Sequence, residues 1–197
     1  MIKNINIFGN GLVVIEPTVY KDDRGYFMES FSKREYDKML SEKFDFVQEN
    51  QSYSKKGVVR GLHFQKPPHD QAKLVRVCKG IVLDVALDIR KGSPTYGKWY
   101  GVVLSDKNCR QFLIPRGFAH GFSVLSDDAI FQYKCDNYYN RASEGGIYLN
   151  DETLGIDWEV DEQIISDKDR QWGSFADFES PFEYNLKEIY ERHHGEN

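Results

Sequence analysis

Residues 71–90 read Gln-Ala-Lys-Leu-Val-Arg-Val-Cys-Lys-Gly-Ile-Val-Leu-Asp-Val-Ala-Leu-Asp-Ile-Arg. In an extended chain Ile81, Leu83, Val85, Leu87 and Ile89 fall on one side, and Val82, Asp84, Ala86, Asp88 and Arg90 on the other. Successive side chains of a strand point to opposite faces, so this alternation predicts a strand with one apolar and one polar face. Lys73–Cys78 predicts a second strand, joined to the first through Lys79-Gly80, a tight-turn signal.

The same period continues outward, in Val58–Gln65, Trp99–Leu104, Gln111–Pro115, Gly121–Leu125, Ala129–Lys134 and Gly146–Leu149. Gly, Pro, Asn and Asp separate these runs at intervals of roughly 8–12 residues, the spacing of a sandwich or barrel. Helical patterning is limited to Ser32–Leu40, with Ser32 and Glu35 in capping-box spacing, and a short stretch around Asn185–Tyr190. No repeat, low-complexity segment or linker interrupts the chain. The reading is all-β, one domain over residues 1–197 with a few short peripheral helices, the tail from about residue 173 being peripheral.

Composition excludes several classes. The 197 residues are 40% hydrophobic, enough for a packed core, and 12 Tyr and 13 Phe lean towards β structure. A net charge of -5 lacks the basic surface that nucleic acid requires. Three cysteines, Cys78, Cys109 and Cys135, are too few and too far apart for a disulfide or zinc framework; reduced thiols in a cytoplasm are expected. Neither a secretion signal nor a membrane span is legible.

Two histidines carry the chemical interest. His63 lies in Arg60-Gly-Leu-His-Phe-Gln65, and His120 in Pro115-Arg-Gly-Phe-Ala-His-Gly-Phe122. A strand histidine is more often structural than catalytic, but this one shares a face with Gln65 in a segment that also holds Arg60. Parity sets Arg60 on the opposite face unless Gly61 marks a bulge. A metal is not expected: Gln65, two residues after His63, is a poor ligand, Lys73 is a nearby cation, and His69 sits in what reads as a solvated loop. His120 reads locally as a turn histidine before the next strand. Tyr133 is one of many tyrosines. Tyr138-Tyr139 suit either the core or a platform for a flat base. Arg24 and Glu29 flank a glycine turn as a surface ion pair, and Ser166–Asp169 reads as an ordinary polar loop.

Taken together, Asp23–Glu29, Gln48-Glu-Asn50, Arg60–Gln65, Gln71–Arg76, Asp84–Arg90, Ser93-Pro-Thr95, Pro115–Phe122 and Ser166–Asp169 resemble, in order and spacing, the dTDP-4-dehydrorhamnose 3,5-epimerases of the cupin superfamily. The resemblance implies a jelly-roll β-sandwich that works as a homodimer without metal or other cofactor. It casts His63 as the proton-abstracting base, Asp169 as its orienting carboxylate and Tyr133 as the proton donor on the other side of the sugar. It assigns Lys73 and His120 to the C4 oxygen. It implies that Arg24, Glu29, Gln48, Asn50, Arg60, Glu144 and Lys168 hold the nucleotide-sugar and Tyr139 stacks on the base, with Arg24 and Glu29 reaching the neighbour's site. The Glu expected within the Pro-x-Gly turn is replaced by Arg116, expected to face solvent.

These residue types suit the reaction. A C4 ketone acidifies the hydrogens at C3 and C5, and removing either leaves an enolate with charge on O4. An ammonium stabilises that charge where it develops, a neutral imidazole takes the proton, and arginines match pyrophosphate oxygens. The neighbouring readings are a C3-only epimerase, an epimerase of another nucleotide-linked 4-keto sugar, a 3,4-ketoisomerase of the same fold, and a non-catalytic sugar-binding cupin.

Overall fold

A computed structural model describes residues 3–7, 11–40 and 42–185. In chain order the strands are β1 (Lys3–Ile7), β2 (Leu12–Glu16), β3 (Val19–Asp22), β4 (Gly25–Met28), β5 (Gln48–Lys55), β6 (Val59–Gln65), β7 (Lys73–Lys79), β8 (Ile81–Asp88), β9 (Arg90–Lys91), β10 (Trp99–Ser105), β11 (Gln111–Ile114), β12 (Phe118–Val124), β13 (Asp128–Cys135), β14 (Glu144–Gly146) and β15 (Phe182–Glu183). Six form one antiparallel sheet in the order β1-β2-β11-β7-β13-β5, and five form a second, β10-β8-β12-β6-β14. From β5 to β14 the chain shuttles between these sheets, staying on one only from β8 to β10. That shuttling is the jelly-roll sandwich, the expected all-β fold.

The apolar part of the interior is filled from both sheets. Val75, Val77, Phe112 and Phe131 of the six-stranded sheet meet Val82, Ala86, Phe122 and Val124 of the five-stranded one. A second core covers the outer face of the five-stranded sheet, where Leu62, Phe64, Leu83, Val85 and Leu87 pack under Ile147, Leu149, Leu154, Trp158 and Phe182. The expected polar face of β8 is therefore not solvated. Both of its faces are buried, and the even-numbered side holds Asp84 at 0% and Asp88 at 1% exposure. Such carboxylates persist inside only when paired. Asp88 receives hydrogen bonds from Arg90, Ser93 and Thr95, and Asp84 is paired within the site.

Helix α1 (Lys33–Met39) forms where the sequence predicts it and buries Tyr36 against the outer face of the six-stranded sheet. The capping box does not form: the Ser32 side chain makes no cap bond, and Glu35 pairs with Lys38 instead. Among the described residues, 173–185 finish the fold, with Phe182 in the second core and β15 pairing in parallel with β9. The helix expected around Asn185–Tyr190 lies outside the described residues beyond Asn185. Among the described residues no helix is long and apolar enough to cross a membrane.

Candidate active site

The site is built on a bulge. His63 pairs with His120, but Arg60 pairs with Phe122, so β6 spends one more residue than β12 over the same span. The extra residue resets the alternation. Val59, Leu62 and Phe64 pack outward into the second core, while Arg60 and His63 both turn inward. Gly61 makes this possible, with φ at +139 and its Cα side against Gly121 of β12. The parity conflict around Arg60 is thereby removed, and its Nε donates to Ser54 Oγ of β5 at 3.2 Å.

His63 Nε2 lies 2.6 Å from Oδ1 of Asp169, which is only 3% exposed and begins a short 3-10 turn, Asp169–Gln171. The polar loop of the sequence reading thus delivers a buried carboxylate. Burial pushes the Asp169 carboxyl up, but hydrogen bonds from His63, the Gly61 amide and Ser166, with the His63 charge, hold it below the ordinary carboxylate range. In neutral His63 the Nε2–H is given to Asp169, which leaves the lone pair on Nδ1 to accept a proton.

His120 does not sit in a turn. It lies on β12, 7% exposed, with Nε2 2.9 Å from Oδ2 of Asp84 on β8. The turn ends earlier because Phe118 and Ala119 already pair with Asp88 and Leu87. Burial lowers the His120 pKa below its ordinary value, the Asp84 charge and hydrogen bond oppose this, and the Lys73 and His63 charges lower it further.

The opposite sheet supplies the other groups. Lys73 on β7 pairs in register with Cys135 on β13, two residues from Tyr133. Burial lowers the Lys73 pKa, opposed by the charges of Cys135, Asp84 and Glu144. Burial raises the Tyr133 pKa and keeps its phenol protonated; the Cys135 charge adds to this, while a hydrogen bond with Asn50 and the Arg60 charge oppose it. Burial also pushes the Cys135 thiol up to about 11. The His120, Phe131 and Tyr133 rings follow one another at 6.0 and 6.1 Å, linking the two walls. Tyr133 and Lys73 on one sheet thus face His63 and His120 on the other.

A polar rim continues outward. Glu144 on β14 pairs with Lys168 and accepts a hydrogen bond from the Tyr139 hydroxyl at 3.1 Å. Gln48 donates to Asn50 at 3.0 Å and accepts from the Tyr139 amide at 3.0 Å. Tyr138 and Tyr139 are 64% and 52% exposed, which leaves the platform reading and removes the core one. His69 is tied down rather than solvated, contacting Ser143 and Asn140. Arg116 is partly drawn in by an ion pair with the buried Asp136.

Arg24 and Glu29 are not brought to His63 within this chain. Arg24 is in the turn of the β3–β4 hairpin and Glu29 directly follows it; the hairpin joins neither main sheet and exposes Tyr20, Tyr26 and Phe27. Arg24 pairs with Asp22 at 2.6 Å rather than with Glu29, because the turn sets residues 22 and 25 side by side. Sequence reasoning assigned no role to Asp84 or Ser54, although both are buried against site residues. An acid in the middle of an apolar strand was the available signal for Asp84.

The family model for dTDP-4-dehydrorhamnose 3,5-epimerase matches residues 8–177. A curated enzyme of that name from Shigella flexneri is 51% identical over 84% of this chain and 92% of its own. One from Methanothermobacter thermautotrophicus is 52% identical over 83% of this chain and 89% of its own. The crystal structure of a dTDP-6-deoxy-D-glucose-3,5-epimerase from Legionella pneumophila, in complex with dTDP-4-keto-L-rhamnose, superimposes with a TM-score of 0.90 at 46% identity, covering 94% of this chain and 100% of that one.

Proposed function

Because the chain belongs to the dTDP-4-dehydrorhamnose 3,5-epimerase family, we propose that it inverts C3 and C5 of dTDP-4-dehydro-6-deoxy-D-glucose to give dTDP-4-dehydro-L-rhamnose. The observation that carries this is that His63 and Tyr133 stand on the inward faces of opposite sheets. Inversion needs a base on one side of the carbon and an acid on the other.

His63 takes the proton from C3 or C5, and Asp169 stabilises the imidazolium that forms. The electrons move onto O4, where the Lys73 ammonium meets the developing charge, an interaction of the kind worth about 3–4 kcal/mol in a transition state. Tyr133, kept protonated by burial, delivers a proton to the opposite face. His120, held by Asp84, flanks the same oxygen. Arg60 and Lys168 meet the pyrophosphate, Gln48, Asn50 and Glu144 hold the nucleotide-sugar, and Tyr139 stacks on the thymine. The exposed aromatic hairpin carrying Arg24 and Glu29 completes the site of a second copy in a homodimer. Three unpaired cysteines suit a reducing cytoplasm.

The test is incubation with the dTDP-linked 4-keto sugar in heavy water. Deuterium at both C3 and C5 with inversion at both is expected. Label at C3 alone would reassign the chain as a C3 epimerase, and a ketone displaced from C4 would make it a ketoisomerase.

A further inference from the structure

The turn that delivers Asp169 and the residues after it are tied to the edge strand β14 and its continuation by three contacts in a row. Lys168 pairs with Glu144, the Trp172 indole lies on Gly146, and the Tyr148 amide donates to the Gly173 carbonyl at 2.9 Å. The middle contact is the close one. A Cβ placed on Gly146 would overlap the indole, standing 2.5 Å from its Nε1. Gly146 is the register partner of His63, so the indole occupies the side-chain space beside the imidazole, with ring centroids 6.5 Å apart and planes at 66°. Trp172 Nε1 is buried and, among the described residues, has no hydrogen-bond partner. An indole seated so tightly without its hydrogen bond is held for its shape. Asp169 lies one short helical turn before it.

We propose that the seating of Trp172 on Gly146 sets the separation of Asp169 from His63, which makes Trp172 a positioning residue for the base. The indole acts as a spacer between the Asp169 turn and the β6–β14 pair. Without it the turn relaxes towards β14 and the carboxylate loses its line to Nε2. This rests on His63 being the base of the proposed reaction.

The test compares Trp172→Ala, Trp172→Phe and Gly146→Ala in the full chain with the dTDP-linked 4-keto sugar. Misplacing a catalytic pair by an ångström costs on the order of 10–100-fold, so Trp172→Ala and Gly146→Ala lower kcat by that factor. KM and calorimetric binding of dTDP stay at the wild-type values, and Trp172→Phe, still flat and aromatic, recovers most of kcat. Adding Trp172→Ala to Asp169→Ala lowers kcat no further, since nothing remains to be positioned. Wild-type kcat in Trp172→Ala or Gly146→Ala overturns the proposal, as does an undiminished loss in the Asp169→Ala background. Should Trp172→Ala fail to fold, Gly146→Ala decides alone. An inactive wild-type chain would instead sink the proposed reaction, a separate result.

Discussion

Gly61 of β6 and Gly121 of β12 approach so closely that a Cβ on Gly61 would stand 2.6 Å from the Gly121 Cα. The contact lies at the bulge that turns Arg60 and His63 to the same side. Two glycines therefore decide which residues line the site.

Replacing Gly61 with alanine is expected to damage both stability and activity. Its φ of +139 is a region that L side chains rarely adopt, a strain of roughly 1–3 kcal/mol before the overlap with Gly121 is counted. The relief is to flatten the bulge, which swings Arg60 out of the site. Thermal unfolding and kcat/KM should fall together in Gly61→Ala. An alanine variant of native stability and full kcat/KM would show that the bulge is not what places His63.

Asp169→Asn keeps the shape of the His63 contact and removes its charge. Hydrogen bonds to charged groups contribute about 1.5–3 kcal/mol, so kcat should fall by roughly one to two orders of magnitude. The same carboxylate sets an acid dependence. Its folded pKa lies below its unfolded value near 3.9, so the stabilisation is fully present above that value and is lost as pH falls through the folded one. Urea unfolding across that acidic window should show a shallower loss of stability in Asp169→Asn than in the wild type.

Lys73 makes an alkaline prediction. Burial lowers its pKa, so the ammonium gives up its proton at a lower pH than an ordinary lysine, about 10.4. Activity that needs the ammonium is present below the folded value and lost as pH rises through it. The alkaline limb of kcat/KM should therefore begin below the ordinary lysine range and move up in Lys73→Arg, whose guanidinium stays charged. Tyr133, raised by burial, is not the source of that limb. A limb unmoved by Lys73→Arg would assign it elsewhere.

The hairpin prediction concerns two chains. Arg24 has a side chain 90% exposed and lies on an element that packs into neither sheet. If it serves the neighbour's site, Arg24→Ala and His63→Ala are each impaired alone, yet mixing them regenerates one complete site per mixed dimer. Activity that fails to rise on mixing and re-equilibration would confine the site to a single chain.

Much of this architecture is legible in the chain itself. The β7–β8 pair follows from alternation, and the ordered motifs bring His63, Lys73 and His120 into one family pattern, to which the resemblance adds Tyr133. What escaped has a common physical cause. Strand β5 aims Gln48, Asn50, Ser52 and Ser54 inward, so it lacks the apolar alternation by which a half-buried strand is found. The polar side of β8 reads as solvent-facing, yet Asp84 is buried because its partner is His120, on a strand dozens of residues away. Asp169 looks like loop chemistry until the turn docks on β14. For Asp84 and Asp169 the polar group is buried, and only the tertiary fold supplies its partner.

The central claim is that His63 and Tyr133 work on opposite sides of one sugar. Its most direct test follows Tyr133→Phe in heavy water with the dTDP-linked 4-keto sugar, reading label and configuration at C3 and C5. The account predicts that solvent deuterium still enters, through His63, while inversion is largely lost, and that His63→Ala abolishes both. Inversion by Tyr133→Phe at the wild-type rate, or exchange that survives His63→Ala, would contradict it.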